Sequence, residues 1–218
     1  MQTERVNIAG EELVLHPYRA AYWEARHTLL VADLHLGKAL HFRRQGIPVP
    51  AAVGNENWDK LIALLLEFEP RRVLILGDLF HSEYNSVWED FDGFIKDFAP
   101  IEFALVLGNH DILDRNLYEK AGLVVYQMLY EAPFIFTHEP LEEPSDQAYN
   151  LCGHIHPGIK LCGGGASLRL PCFFFGVNQG IMAAFGAFTG LYNMQAKRED
   201  QVFVVTDQAV INMSGARS

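Results

Sequence analysis

The chain has 218 residues, half of them hydrophobic and a fifth charged, which supports a sizeable core and excludes wholesale disorder. No apolar run approaches the roughly 18 residues of a spanning helix, and the charged start Met1-Gln2-Thr3-Glu4-Arg5 lacks a signal-peptide pattern; the expectation is a cytoplasmic protein with no membrane partner. A net charge of −10 argues against a broad basic surface that tracks nucleic acid by counterion release, yet leaves room for an acid-rich pocket made cationic by bound metal.

Glu11 to Trp23 reads as short strands broken by turn residues. After it comes a recurring event: an apolar run that stops abruptly at Asp, Asn or His. Thr28 to Ala32 runs into Asp33-Leu34-His35, and Val73 to Gly77 into Asp78. Phe103 to Gly108 runs into Asn109-His110-Asp111, Phe134 to Thr137 into His138, and Leu151 to Gly153 into His154-Ile155-His156. Such runs predict strands buried on both faces, and α/β sheets gather ligands beyond the carboxyl ends of their strands.

Helical signals lie between the strands. Lys38 to Gln45 predicts a short helix stopped by Gly46 and the extended Ile47-Pro48-Val49-Pro50. Trp58, Leu61, Ile62, Leu65 and Leu66 keep a helical period after Asn57, read as an N-cap, and Pro70 closes the segment. Ser86 to Glu89 has capping-box spacing ahead of Phe91, Ile95 and Phe98. Asp114 to Ala121 predicts a helix ended by Gly122. Arg169 to Met213 again reads as strands, the clearest being Gln201 to Val205. No linker or repeat marks a second domain, so residues 1–218 are taken as one. Cys152, Cys162 and Cys172 form no CxxC pair and read as buried structural thiols, not a zinc ribbon.

Three oxygen donors (Asp33, Asp78, Asn109) and four imidazoles (His35, His138, His154, His156) therefore have the chemistry to hold two divalent ions. A carboxylate shared between two ions sets the separation of about 3.5–4 Å used in two-metal hydrolysis. The oxygen and nitrogen set, without thiolate, suits manganese, iron or zinc. Each element alone is weak evidence; five in one order, each after an apolar strand, are not.

That ordered series resembles the calcineurin-like metallophosphoesterases from about Leu29 through His156. The resemblance implies an α/β fold, a four-layer αββα sandwich of two mixed β-sheets flanked by helices. It implies one metal on Asp33, His35, Asp78 and His156 and the other on Asp78, Asn109, His138 and His154. It also places His110 beside the phosphate as a catalytic group, with Asp111 as its orienting partner. Gly77-Asp78-Leu79-Phe80-His81-Ser82 is similar to the double-strand-break-repair nucleases, which implies that His81 helps position a phosphodiester; the alternative for His81 is a surface turn. The segments Asp33 to Lys38, Phe42 to Pro50, Arg169 to Phe173 and Ala184 to Gly190 resemble the bacterial ligase-associated DNA-damage-response endonucleases, the PdeM-like group. The implied activity is a manganese-dependent phosphodiesterase acting on DNA in repair, beside a helicase and a DNA ligase. Arg43 and Arg44 are candidate substrate-binding residues, since arginine suits bidentate phosphate contacts, or they line a solvated helix face. Competing expectations are a phosphohydrolase for small nucleotide or lipid phosphoesters, and a metal-depleted scaffold that binds proteins; the complete ligand set counts against the second.

Overall fold

In the computed structural model, described for residues 1–38, 52–80, 86–144, 147–163, 166–186 and 189–214, the apolar runs become the parallel half of a mixed sheet. Its strands are β1 (Glu4–Ile8), β2 (Glu11–His16), β3 (Ala20–Trp23), β4 (Thr28–Val31), β5 (Arg72–Leu76), β6 (Glu102–Val106) and β7 (Leu123–Tyr126), in that spatial order. Hairpins make β1 to β4 antiparallel, and crossovers make β4 to β7 parallel. Val31 stands beside Ile75 and Leu76 beside Val106, so the turns after these three strands leave the sheet at one edge.

The second mixed sheet contains β8 (Leu129–Glu131), β9 (Phe134–Phe136), β10 (Tyr149–Cys152), β11 (Pro157–Gly163), β12 (Ala166–Phe175), β13 (Gln179–Ile181), β14 (Tyr192–Asn193), β15 (Gln201–Val205) and β16 (Val210–Asn212). Its order is β14-β11-β12-β13-β10-β9-β8, with β15 paired to β12 and β16 to β15. Parallel pairing of β10 with β9 and β13 sends their carboxyl ends to one edge as well.

Alternation along the strands divides the apolar residues between two layers. Leu30, Leu74 and Ala104 pack with Phe134, Phe136, Leu151, Phe173 and Phe203 in a core between the sheets. Leu29, Val31, Val73, Ile75 and Leu105 face the helices α1 (Ala52–Phe68), α2 (Ser86–Asp97) and α3 (Arg115–Lys120). These are the expected two mixed sheets with helices. Of the three cysteines expected to be buried, Cys152 and Cys172 are, but Cys162 in β11 is exposed. Helix α2 buries Phe91, Phe94 and Ile95, as its period predicts. Helix α3 starts on Asp114, whose side chain accepts from the Asn116 amide, and stops before Gly122 at φ +96°.

Two helical expectations change. Asn57 is no N-cap: α1 begins at Ala52, and from inside the helix the buried Asn57 donates its Nδ2 to the Leu34 carbonyl at 3.1 Å. Leu66 does not join the buried stripe; it is 69% exposed, while Leu64 is fully buried beside Leu61 and Leu65. In the run from Leu61 to Phe68 nearly every position is apolar, so periodicity cannot select the face and packing on the sheet does. The helix expected over Lys38 to Gln45 lies, beyond Lys38, outside the described residues.

Candidate metal centre

The first and second turns run side by side beyond the sheet. The Asp33 amide donates to the Gly77 carbonyl at 3.2 Å, that of His35 to Asp78 at 2.9 Å, and that of Leu36 to Leu79 at 2.9 Å. In the second sheet the Gly153 amide donates to the His138 carbonyl at 2.9 Å, bringing His138 level with His154. The amide of His154 then reaches across to both carboxylate oxygens of Asp33 at 3.1 Å, joining the two sheets at the site.

The backbone is bent sharply inward there. Asp33, His35, Asp78, His154 and His156 all have φ between +45° and +67°, a left-handed conformation that side chains other than glycine rarely adopt. Such conformations persist when the surroundings over-determine them, and they cluster at functional sites. The glycines ahead of the polar residues serve close approach: a Cβ on Gly77 would stand 2.1 Å from His138 Nδ1, and one on Gly108 would stand 2.4 Å from Asp78 Oδ1.

All seven predicted donors come together. Asp33, His35, Asp78 and His138 are buried, His154 and His156 partly so, and Asn109 is exposed. Asp78 stands between two groups, its Oδ2 3.7 Å from His35 Nε2 and its Oδ1 3.4 Å from His138 Nε2. Asp33 Oδ1 lies 3.4 Å from His156 Nε2. Two triads, Asp33–His35–His156 and Asp33–Asp78–His138, each hold their ligand atoms within 4.8 Å of one another, so Asp33 as well as Asp78 is central.

The residues fit cations. His138 Nδ1 lies 3.0 Å from the Leu76 carbonyl; a carbonyl can only accept, so Nδ1 carries the proton and Nε2 is left bare. That bare nitrogen faces Asn109 Oδ1 at 3.0 Å and His154 Nδ1 at 3.1 Å, and the latter two are 3.1 Å apart. Neutral His138 Nε2 and Asn109 Oδ1 are both acceptors, and such a pair repels unless something positive, or a proton on His154 Nδ1, lies between them. His156 Nε2 is likewise buried without a hydrogen-bond partner among the described residues. No Lys or Arg forms an ion pair with buried Asp33 or Asp78 among the described residues. The Lys38 ammonium lies near enough to feel both, and burial holds its pKa below the ordinary lysine value against their attraction.

Asp111 takes a different role from the expected one. Its buried carboxylate accepts from the amides of Asp78 (2.9 Å), Leu79 (3.0 Å) and Gly108 (2.8 Å). It therefore clamps the second and third turns together, and the His110 ring is not among its hydrogen-bond partners. Burial, helped by the charge of Asp78 and opposed by those amides, pushes its pKa up to about 6. His110 is exposed at the edge of the cluster, its ring centroid 5.6 Å from that of His35 and its amide donating to Asp78 Oδ1 at 3.0 Å. His81, Arg43 and Arg44 lie outside the described residues.

Sequence reasoning missed the buttresses. Besides Asn57, the segment around Phe185 and Gly186 rests on the first turn: their amides donate to the carbonyls of Ala32 (2.9 Å) and Asp33 (3.0 Å). Arg19 holds that segment through the Ala184 and Gly186 carbonyls at 3.1 and 3.3 Å. The one available signal was the Ala184-Phe185-Gly186 string. Its partners are more than 150 residues away in sequence, so no local pattern reveals them.

The glycine argument gives a first expected result. In Gly108→Ala the new methyl must displace both the Asp78 carboxylate and its backbone nitrogen, 2.5 Å away. Overpacking of this kind costs about 1–3 kcal/mol, and metal binding weakens as Asp78 moves. Thermal unfolding with and without manganese checks it; an unchanged melting temperature together with an unchanged manganese-induced rise would remove the close-approach role.

A sequence model described as "Calcineurin-like phosphoesterase" matches residues 26–179. Among solved structures, the chain is similar to the nuclease MPE of Pseudomonas putida, with a TM-score of 0.80 and 28% identity over 93% of this chain and 96% of that one. It also aligns with Yfce, a phosphoesterase from E. coli, at a TM-score of 0.43 and 13% identity, covering 86% of this chain and 98% of that one. No curated protein matches the sequence.

Proposed function

This chain belongs to the calcineurin-like phosphoesterase family, and from that membership we propose that it is a dinuclear-metal phosphodiesterase cutting DNA internally. The observation that carries the reading is the convergence of seven oxygen and nitrogen donors, with two carboxylates central to the cluster. The likeness to a nuclease along nearly the full length of both chains supports a nucleic acid as the substrate, and the motif resemblance to DNA-repair nucleases favours DNA. Asp33, His35, Asp78 and His156 would hold one cation, and Asp78, Asn109, His138 and His154 the other. Manganese suits this thiolate-free set, as iron or zinc would. Bound there, two such ions supply Lewis acidity at a phosphoryl oxygen and a nucleophile at neutral pH.

The chain's own residues do the rest. His110, exposed beside the cluster, delivers a proton to the leaving oxygen. Asp111 keeps the Asp78 and Gly108 turns in register, as a positioning residue. His81 turns the second ester arm, on the strength of the motif resemblance, and Arg43 and Arg44 contact phosphates, for which arginine's bidentate geometry suits them. The resemblance of the Asp33 to Lys38 and Phe42 to Pro50 segments to the ligase-associated endonucleases supports placing the activity in DNA repair, beside a helicase and a DNA ligase, and we place it in the cytoplasm.

An activity panel with manganese tests the reading. Circular DNA, in single- or double-stranded form, should be cut internally, and a bis-aryl phosphodiester should be hydrolysed at least about tenfold faster than an aryl phosphomonoester, about 1.4 kcal/mol in barrier. His81→Ala should retain its metals while that ratio falls, because orientation of the extra arm is lost. Hydrolysis of the monoester alone would overturn the diesterase reading.

A further inference from the structure

Beside Asn109 and His138 lies an open hollow of about 390 Å³ that the reaction as described does not use. Its apolar lining comes from Leu107, Pro140 and Leu141, and its polar lining from Gln127, Glu139 and Glu142. We propose that this hollow seats the nucleobase next to the scissile phosphate and favours bases that present an exocyclic amine. The inference rests on the phosphodiesterase reading and adds a preference among DNA substrates to it.

Three observations lead there. First, the hollow shares Asn109 and His138 with the proposed metal centre, so whatever fills it is adjacent to the reacting phosphate. Second, two acidic residues, Glu139 and Glu142, belong to the lining, and their charge disfavours a further phosphate, which leaves the uncharged part of a nucleotide as the occupant, with apolar surface to cover its ring. Carboxylates only accept hydrogen bonds; cytosine offers an N4 amine where thymine offers an O4 acceptor. Third, the wall is fixed before anything binds. Asn150, fully buried, donates Nδ2 to the Ile135 carbonyl at 3.0 Å and to Thr137 Oγ1 at 2.8 Å. Its Oδ1 accepts from the Leu141 amide at 3.2 Å and from Gln179 Nε2 at 2.6 Å. Thr137 Oγ1 in turn donates to the Glu139 carbonyl at 2.6 Å. A wall held this way loses little conformational freedom on binding.

The test uses the full chain loaded with manganese and single-stranded oligonucleotides of dC or dT, two pyrimidines of similar size. The parent should cleave dC faster than dT by about fivefold or more, the scale of one base contact. In Glu139→Ala, Glu142→Ala and the double variant the ratio should fall stepwise toward one; both side chains are exposed, so the fold tolerates their loss. A parent ratio of about one, or a ratio the variants leave unchanged, overturns the subsite alone. A parent that hydrolyses the bis-aryl diester but neither these oligonucleotides nor duplex DNA overturns the DNA reading, and the subsite with it.

Discussion

Asp78→Asn should lower diester hydrolysis by about 10³-fold or more, beyond the loss from removing a single oxyanion donor, and should release cation from the protein. Asparagine keeps the shape of the side chain and leaves an Oδ1 to accept from the His110 amide, now at 3.0 Å. What it removes is the anion between His35 and His138. Two divalent ions a few ångströms apart repel strongly, and a shared carboxylate is what offsets that repulsion. Binding also requires deprotonated imidazoles, so occupancy falls as the solution is made acidic. Metal content after gel filtration and turnover on the bis-aryl diester are the measurements. A second readout separates metal loss from misfolding. Without metal the parent buries Asp33 and Asp78 close together, and Asp78 helps to hold the Asp111 pKa up. The metal-free variant should therefore unfold at the same temperature as the metal-free parent or a higher one, and Asp111 should titrate nearer the ordinary carboxylate range. Full occupancy with parental turnover would remove Asp78 from its place between the ions.

The chemistry of this site is legible in the sequence because buried parallel strands are nearly uniform in composition. A polar residue that interrupts one stands out, and the shared register of β4, β5 and β6 turns three interruptions into one cluster. The same logic found His138, His154 and His156 at the ends of β9 and β10. The supports of those residues are another matter. Asn57 in α1 and Asp111 after β6 bond to backbone groups far away in sequence, and backbone groups carry no residue signature. Asn57 carries the local chemistry of an N-cap, and only the tertiary position of the Leu34 carbonyl gives it another use. Asp111 adjoins His110 in sequence, which suggests a pair, but three amides already occupy its oxygens. Leu64 and Leu66 show the remaining gap: in a helix apolar on nearly every side, the neighbouring sheet decides which face is buried.

His110→Ala should leave both metals bound and slow DNA cleavage by about 10²–10⁴-fold, the range for a general acid. The adjacent proposed ligand is Asn109, and the hydrogen bond from residue 110 to Asp78 comes from the backbone amide, so removing the imidazole leaves both in place. The ring itself is exposed and meets His35 edge-on, at 79° between planes, where it can reach a substrate without being a primary ligand. An alkoxide leaving from DNA is strongly basic and needs a proton as its bond to phosphorus breaks. An aryloxide is stable enough to leave without one. The loss on a bis-aryl diester should therefore be smaller than the loss on DNA by a factor of ten or more, about 1.4 kcal/mol of barrier. Equal losses on the two substrates would assign His110 to charge stabilisation of the phosphate, a role that does not depend on the leaving group.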